Sequence, residues 1–216
     1  IQLLGEIAEN LWETGHHSAI IKYGELIPDE IITNNIEFSL YYSWILISSG
    51  NTQKAEPFLV SAKENTELII KKKDSSKNCT EYHTKLLGKI AVAFALKYSN
   101  EMRSEKIIDY YKLAMDNLQE DDPLWYSWAW YSKAMAERVW ENYVEEMGAL
   151  NIALEYDKKS RNLYLISMIA IRIAYNNQRK GFFKSAFNTC SDLLNYMKES
   201  GYSQVTKAEW TFAGVF

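Results

Sequence analysis

Apolar residues along this chain recur at intervals of three and four rather than two. Leu3, Leu4, Ile7, Ala8 and Leu11 set the pattern at once, and spacing of that kind marks amphipathic helices. The breaks are short: Thr14-Gly15-His16, Ser48-Ser49-Gly50-Asn51, Tyr98-Ser99-Asn100, Glu120-Asp121-Asp122-Pro123 and Ser200-Gly201. Gly15, Gly50, Gly181 and Gly201 stand where one helix should end and the next begin, the position that favours a residue without a Cβ. Pro123 after Asp121-Asp122 fits a first helical turn, with the acidic pair at the positive end of the helix. The pattern therefore predicts an all-α protein of antiparallel hairpins in one continuous domain, residues 1–216. One longer polar run, Lys71 to Thr80, reads as an exposed loop or a helix–helix junction.

A repeat underlies the hairpins. The second helix of a tetratricopeptide-type hairpin carries a small residue, a large one four positions later, and a small one three after that, so that two helices approach closely. Ala55-x3-Leu59-x2-Ala62 has the full pattern. Ile107-x3-Tyr111-x2-Ala114 and Glu146-x3-Leu150-x2-Ala153 keep two of the three positions, while Ala186-x3-Cys190-x2-Leu193 and Ala19-x3-Tyr23-x2-Leu26 keep the first. Twelve residues before four of these anchors stand Ser43, Ala95, Ala134 and Ala174, small residues on the preceding helix. The anchors are 36, 52, 39 and 40 residues apart, longer than the ~34-residue tetratricopeptide period. The expected fold is a right-handed superhelix of about five such hairpins.

Composition narrows the function. The 216 residues include 24 Lys and Arg against 28 Asp and Glu, a net charge of −4, which opposes direct contact with nucleic acid or an anionic membrane. No apolar stretch is long enough to span a bilayer, and no signal-peptide pattern opens the chain; the expectation is a cytoplasmic protein. Cys79 and Cys190 lie far apart and fit no zinc spacing, so they read as reduced thiols. The chain opens at Ile1 inside an amphipathic pattern and reads as part of something longer.

The segments LWETGHHSAIIKYGELIPDEII and YYSWILISSGNTQKAEPFLVSA resemble the helical-repeat region of MalT-like, LuxR-type bacterial transcription regulators. The resemblance lies in an ordered series: Gly15, Ile27-Pro28-Asp29-Glu30, Tyr42-Ser43-Trp44, Ser49-Gly50 and Ala55-Glu56-Pro57-Phe58-Leu59. EDDPLWYSWAWYSKAMA and GFFKSAFNTCSDLL match later hairpins of the same region in length and register. The resemblance implies a non-catalytic region that receives a small-molecule inducer or a regulatory protein. It also implies a flanking ATPase module and a flanking DNA-binding domain in the full-length protein. Neither is in this stretch, which has no G-x-x-x-x-G-K-[ST] loop. Lys207 to Phe216 read as the first turns of a further helix. The alternative is a stand-alone scaffold that holds a partner peptide or helix in its groove.

The chain offers little to an enzyme and no cofactor site. His16 and His17 are adjacent and diverge on a helix, as do Glu145 and Glu146; Cys79-x3-His83 has no second ligand pair. No G-x-S-x-G elbow or H-E-x-x-H helix occurs. The unusual feature is aromatic: seven Trp, fifteen Tyr and eight Phe. Trp125, Tyr126, Trp128, Trp130 and Tyr131 crowd seven residues, more than one inward face accommodates. With Ala134 against its partner helix, Trp128, Tyr131, Met135 and Arg138 form a stripe at i, i+3, i+7 and i+10. That stripe is expected to line the concave groove, with Trp44 and Tyr175 projecting inward at equivalent positions. The candidate ligand-binding residues are thus Trp44, Trp128, Tyr131, Arg138 and Tyr175.

Overall fold

A computed structural model describes residues 2–13, 16–72 and 77–199. Regular structure among them is entirely helical: α1 (Gln2–Glu13), α2 (His17–Leu26), α3 (Asp29–Thr33), α4 (Ile36–Ser48), α5 (Thr52–Lys71), α6 (Lys77–Asn100), α7 (Ser104–Asn117), α8 (Pro123–Val139), α9 (Tyr143–Ser160), α10 (Leu163–Arg179) and α11 (Phe183–Glu199). The helices form two compact units, Ile1–Glu120 and Asp121–Phe216. No helix is long and apolar enough to cross a membrane among the described residues. Gly15, Gly201 and the expected helix from Lys207 to Phe216 lie outside those residues.

Four pairs of consecutive helices pack side by side, α4 with α5, α6 with α7, α8 with α9 and α10 with α11. Each pair is joined by a three-residue reversal of one design. Its middle residue is left-handed: Gly50 (φ 86°), Met102 (56°), Glu141 (61°) and Gly181 (79°). In each, the last residue of the reversal donates its N–H back to the carbonyl five positions earlier: Asn51 to Leu46 (2.7 Å), Arg103 to Tyr98 (3.0 Å), Asn142 to Glu137 (2.9 Å) and Phe182 to Asn177 (2.9 Å). The same residue accepts the first hydrogen bond of the next helix, from Ala55 (3.2 Å), Ile107 (3.0 Å), Glu146 (2.9 Å) or Ala186 (3.0 Å). Those donors are four of the five anchors read from the sequence. The turn therefore fixes the rotational phase of the second helix, and all four anchors are buried.

The small residues opposite them are buried too. Ser43, Ala95, Ala134 and Ala174 are each 0% exposed. Ser43 Oγ donates to the Ala55 carbonyl across the helix crossing (3.2 Å), and Ser127 Oγ does the same to Ala153 (2.8 Å). Apolar residues then fill the space around each crossing; Ile166, Ala170, Cys190, Leu193 and Met197 do so for α10 and α11. The caps follow local chemistry, with Asn35, Asp122 and Asn162 accepting from the N–H three residues on, at 2.8, 3.4 and 3.0 Å. Pro123 takes the first helical position after Asp122.

Two expectations shift. The run from Lys71 to Thr80 is helical at both ends, since Lys71 closes α5 and Lys77–Thr80 open α6; residues 73–76 lie outside the described ones. The first anchor is Ile20, fully buried, and not Ala19. His16 donates to the Leu11 carbonyl at 2.7 Å, as the later reversals do, and the phase so fixed puts Ile20 inward and leaves Tyr23 and Leu26 outward. Gly24 then faces α4, where a Cβ would lie 2.2 Å from the Tyr42 ring.

A buried carboxyl sits near the end of α9. Asp157 is fully buried, with Oδ1 accepting from Ser160 Oγ at 2.8 Å and Oδ2 lacking a hydrogen-bond partner. Burial pushes its carboxyl up to about 7, against the pull of the Ser160 hydroxyl. The carboxyl holds its proton in the folded protein well above the ordinary value of 3.8, where the unfolded chain has released it. Its contribution to stability therefore falls as pH rises through that window.

Two predictions result. Ala134→Leu should overpack the α8–α9 crossing and cost about 1–3 kcal/mol, read from urea unfolding; an unchanged midpoint would contradict the close crossing. Asp157→Asn should gain stability on the natural chain as pH rises from about 4 to about 7, and no further above it. A difference between the two that does not vary with pH would contradict the buried, protonated acid.

Candidate functional site: a basic pocket in the second unit

α8 is buried around most of its circumference, which changes the meaning of its aromatic crowd. Leu124, Trp125, Tyr126, Ser127, Trp128 and Ala129 are buried in succession. Tyr126 leans on Tyr156 of α9 (centroids 5.1 Å apart), and Trp128 meets Tyr131 edge-on (5.8 Å) and Tyr164 of α10 (6.3 Å). Only 2% of Trp128 is exposed, so its ring is core packing and lines no open groove. Trp44 is likewise 2% exposed, in the core of the first unit against Trp12 (5.3 Å, nearly perpendicular). The arithmetic that one helix hides one face fails for α8, because neighbours from both α9 and α10 reach it.

Of the other three candidates, Arg138 lines a cavity and Tyr175 packs against two of the arginines that line it. Arg138 leaves the last turn of α8 and is exposed; Tyr175, on α10, is 41% exposed; Tyr131 is buried two turns earlier on the stripe that carries Arg138. The cavity, of about 280 Å³, opens where α8 and α10 end and α9 begins, and Arg138 lines it together with Arg172, Arg179 and Lys180. Glu141 and Glu146 supply the opposing charge. Four cations against two carboxylates leave a local excess of two positive charges, on a chain whose net charge is −4.

Its inner wall is a buried ion pair. Arg172 Nε donates to Glu146 Oε1 at 2.7 Å, with the side chains 13% and 6% exposed. Desolvating two charges is offset only by close geometry and further hydrogen bonds, so such a pair is no cheap source of stability. The aromatic rings dress the rest of the site. The Tyr175 ring packs against the Arg172 and Arg179 guanidinium groups, 5.4 and 6.0 Å from its centroid. Lys180 Nζ lies 4.9 Å from the Tyr143 ring, whose hydroxyl donates to Asn177 Oδ1 at 3.3 Å. Burial pushes the Tyr131 phenol up to about 12, with Arg172 and Arg138 pulling the other way. It remains a neutral neighbour of the two arginines at any physiological pH.

Arg172, Glu146, Arg179 and Lys180 were not among the sequence candidates, yet two signals mark them. Arg172, Tyr175, Asn176 and Arg179 form an i, i+3, i+4, i+7 stripe on an otherwise apolar helix. Glu146 occupies an anchor position, where the repeat otherwise places an apolar or small residue. A carboxylate there must be buried, and a buried carboxylate needs a partner. The chemistry of the site is electrostatic: fixed cations around a small opening, with an aromatic face beside them.

The remaining ionisable candidates have local roles. His17 Nε2 pairs with the Trp12 carbonyl at 3.2 Å, and His83 Nδ1 with the Cys79 carbonyl at 2.7 Å. Cys79 and Cys190 are free thiols. No cluster of three potential metal ligands occurs among the described residues. No family model, curated protein or solved structure matches this chain.

Proposed function

We propose that this chain is the sensing region of a cytoplasmic, LuxR-type bacterial transcription regulator of the MalT-like group. In this reading it is a right-handed, tetratricopeptide-like superhelix of about five hairpins that binds an inducer or a regulatory protein and catalyses nothing. The resemblance described above supplies the regulator. The recurrence of one reversal geometry in four hairpins supports a repeat architecture, since identical phase-setting turns are what a solenoid requires.

The observation that carries the sensing role is the Glu146–Arg172 pair beside an undercompensated basic pocket. The pair joins α9, the second helix of one hairpin, to α10, the first helix of the next. An occupant held at the ends of α8 and α10 would contact both hairpins of the second unit. A ligand that prefers one arrangement of those hairpins shifts the population toward it, and an attached signalling module reads the shift.

The coding sequence on either side tests the regulator reading. A phosphate-binding loop on the amino-terminal side and a helix-turn-helix on the carboxyl-terminal side are the expected outcome. Flanking sequence that encodes neither would overturn it in favour of a scaffold that holds a partner peptide or helix.

A further inference from the structure

We propose that the basic pocket of the second unit binds a small organic dianion, a phosphate monoester or a dicarboxylate, through Arg138, Arg179 and Lys180. The proposal deepens the sensing role and rests on that reading for its biological purpose, but it stands on the pocket's own chemistry.

The first argument is charge balance. Arg172 is committed to Glu146 at 2.7 Å. Among the described residues, none of Arg138, Arg179 and Lys180 forms an ion pair with a carboxylate. All three are exposed at the mouth of the cavity, with Glu141 the one remaining carboxylate in its lining. The uncompensated charge is therefore +2, which a dianion would neutralise. The helix dipole favours one cation at the end of α8 and others at the end of α10. It does not account for two helix ends delivering their cations to the same opening, against the net negative charge of the chain.

The second argument is size and shape. At roughly 30 Å³ for each water-sized group, a 280 Å³ cavity holds on the order of ten non-hydrogen atoms. That suits a short acid and not a polymer. A polyanion would also meet the net charge of −4 beyond the pocket. Tyr175, half-exposed beside Arg172 and Arg179, offers apolar ring surface next to the opening for a carbon skeleton whose acid groups face the cations.

The test is calorimetric titration of the 216-residue chain with glycerol 3-phosphate, with succinate, and with glycerol as the neutral control. At low ionic strength at least one dianion should bind saturably at one site per chain, and glycerol should not. Added salt should weaken that binding. Arg179→Gln should weaken it about tenfold, the usual loss with one charge-assisted contact, and should leave the thermal midpoint unchanged because Arg179 holds no ion pair. Arg138→Gln, on a different helix, provides a second variant with the same expectation. The dianion that binds more tightly identifies the acid group. Failure of both dianions to bind, or binding that survives the paired Arg138→Gln and Arg179→Gln replacement, would overturn the proposal. Such a failure leaves the flanking coding sequence as informative as before, so it is distinct from failure of the regulator reading.

Discussion

The structure depends on one constraint: two helices must cross at a residue small or apolar enough to be buried, and the turn between them must deliver it there. The left-handed residue in each reversal, at Gly50, Met102, Glu141 and Gly181, closes the first helix. The hydrogen bond accepted by the residue that follows it starts the second and sets its phase. Two of the four left-handed positions hold a side chain at a conformational cost of about 1–2 kcal/mol each. That cost is tolerated because the burial it enables is larger: each anchor brings a further turn of apolar residues into contact across the crossing.

Placed in that frame, Glu146 is the departure from the rule that creates chemistry. Its phase is set by Asn142, as that of Ala55 is set by Asn51, so its carboxylate is carried inward whether or not the core suits it. Arg172 meets it from α10. The end of α10 and the residue that follows it bring Arg179 and Lys180 to the opening, and the end of α8 adds Arg138. A site thus arises where the regular hairpin is interrupted by one charge, and the rest of the repeat holds it rigid.

Much of the fold was legible as pattern. Helices and turns follow from apolar spacing and glycine, and the anchors at 55, 107, 146 and 186 follow from small residues repeated at a distance of twelve. The first anchor was misplaced by one residue because Ala19 and Ile20 are both apolar; only the hydrogen bond from His16 to Leu11, which hydrophobicity does not encode, separates them. Arg138 lines the pocket, and Tyr175 stands beside it, packed against Arg172 and Arg179. Trp128 and Trp44 do not, because counting one buried face per helix underestimates how completely α4 and α8 are enclosed. Arg172 went unread because its partner, Glu146, looked like a worn repeat rather than a requirement for a buried cation.

The central claim is that the Glu146–Arg172 pair serves the pocket and that the fold does not need it. Urea unfolding of Arg172→Leu, Glu146→Ala and the two together measures this directly. Arg172→Leu strands a buried carboxylate and should cost about 3–5 kcal/mol, whereas the double variant should recover to the stability of the natural chain or better, because a small residue returns to the anchor and an apolar one faces it. A double variant as unstable as Arg172→Leu alone would show that the hairpins depend on the ion pair, and would contradict the account.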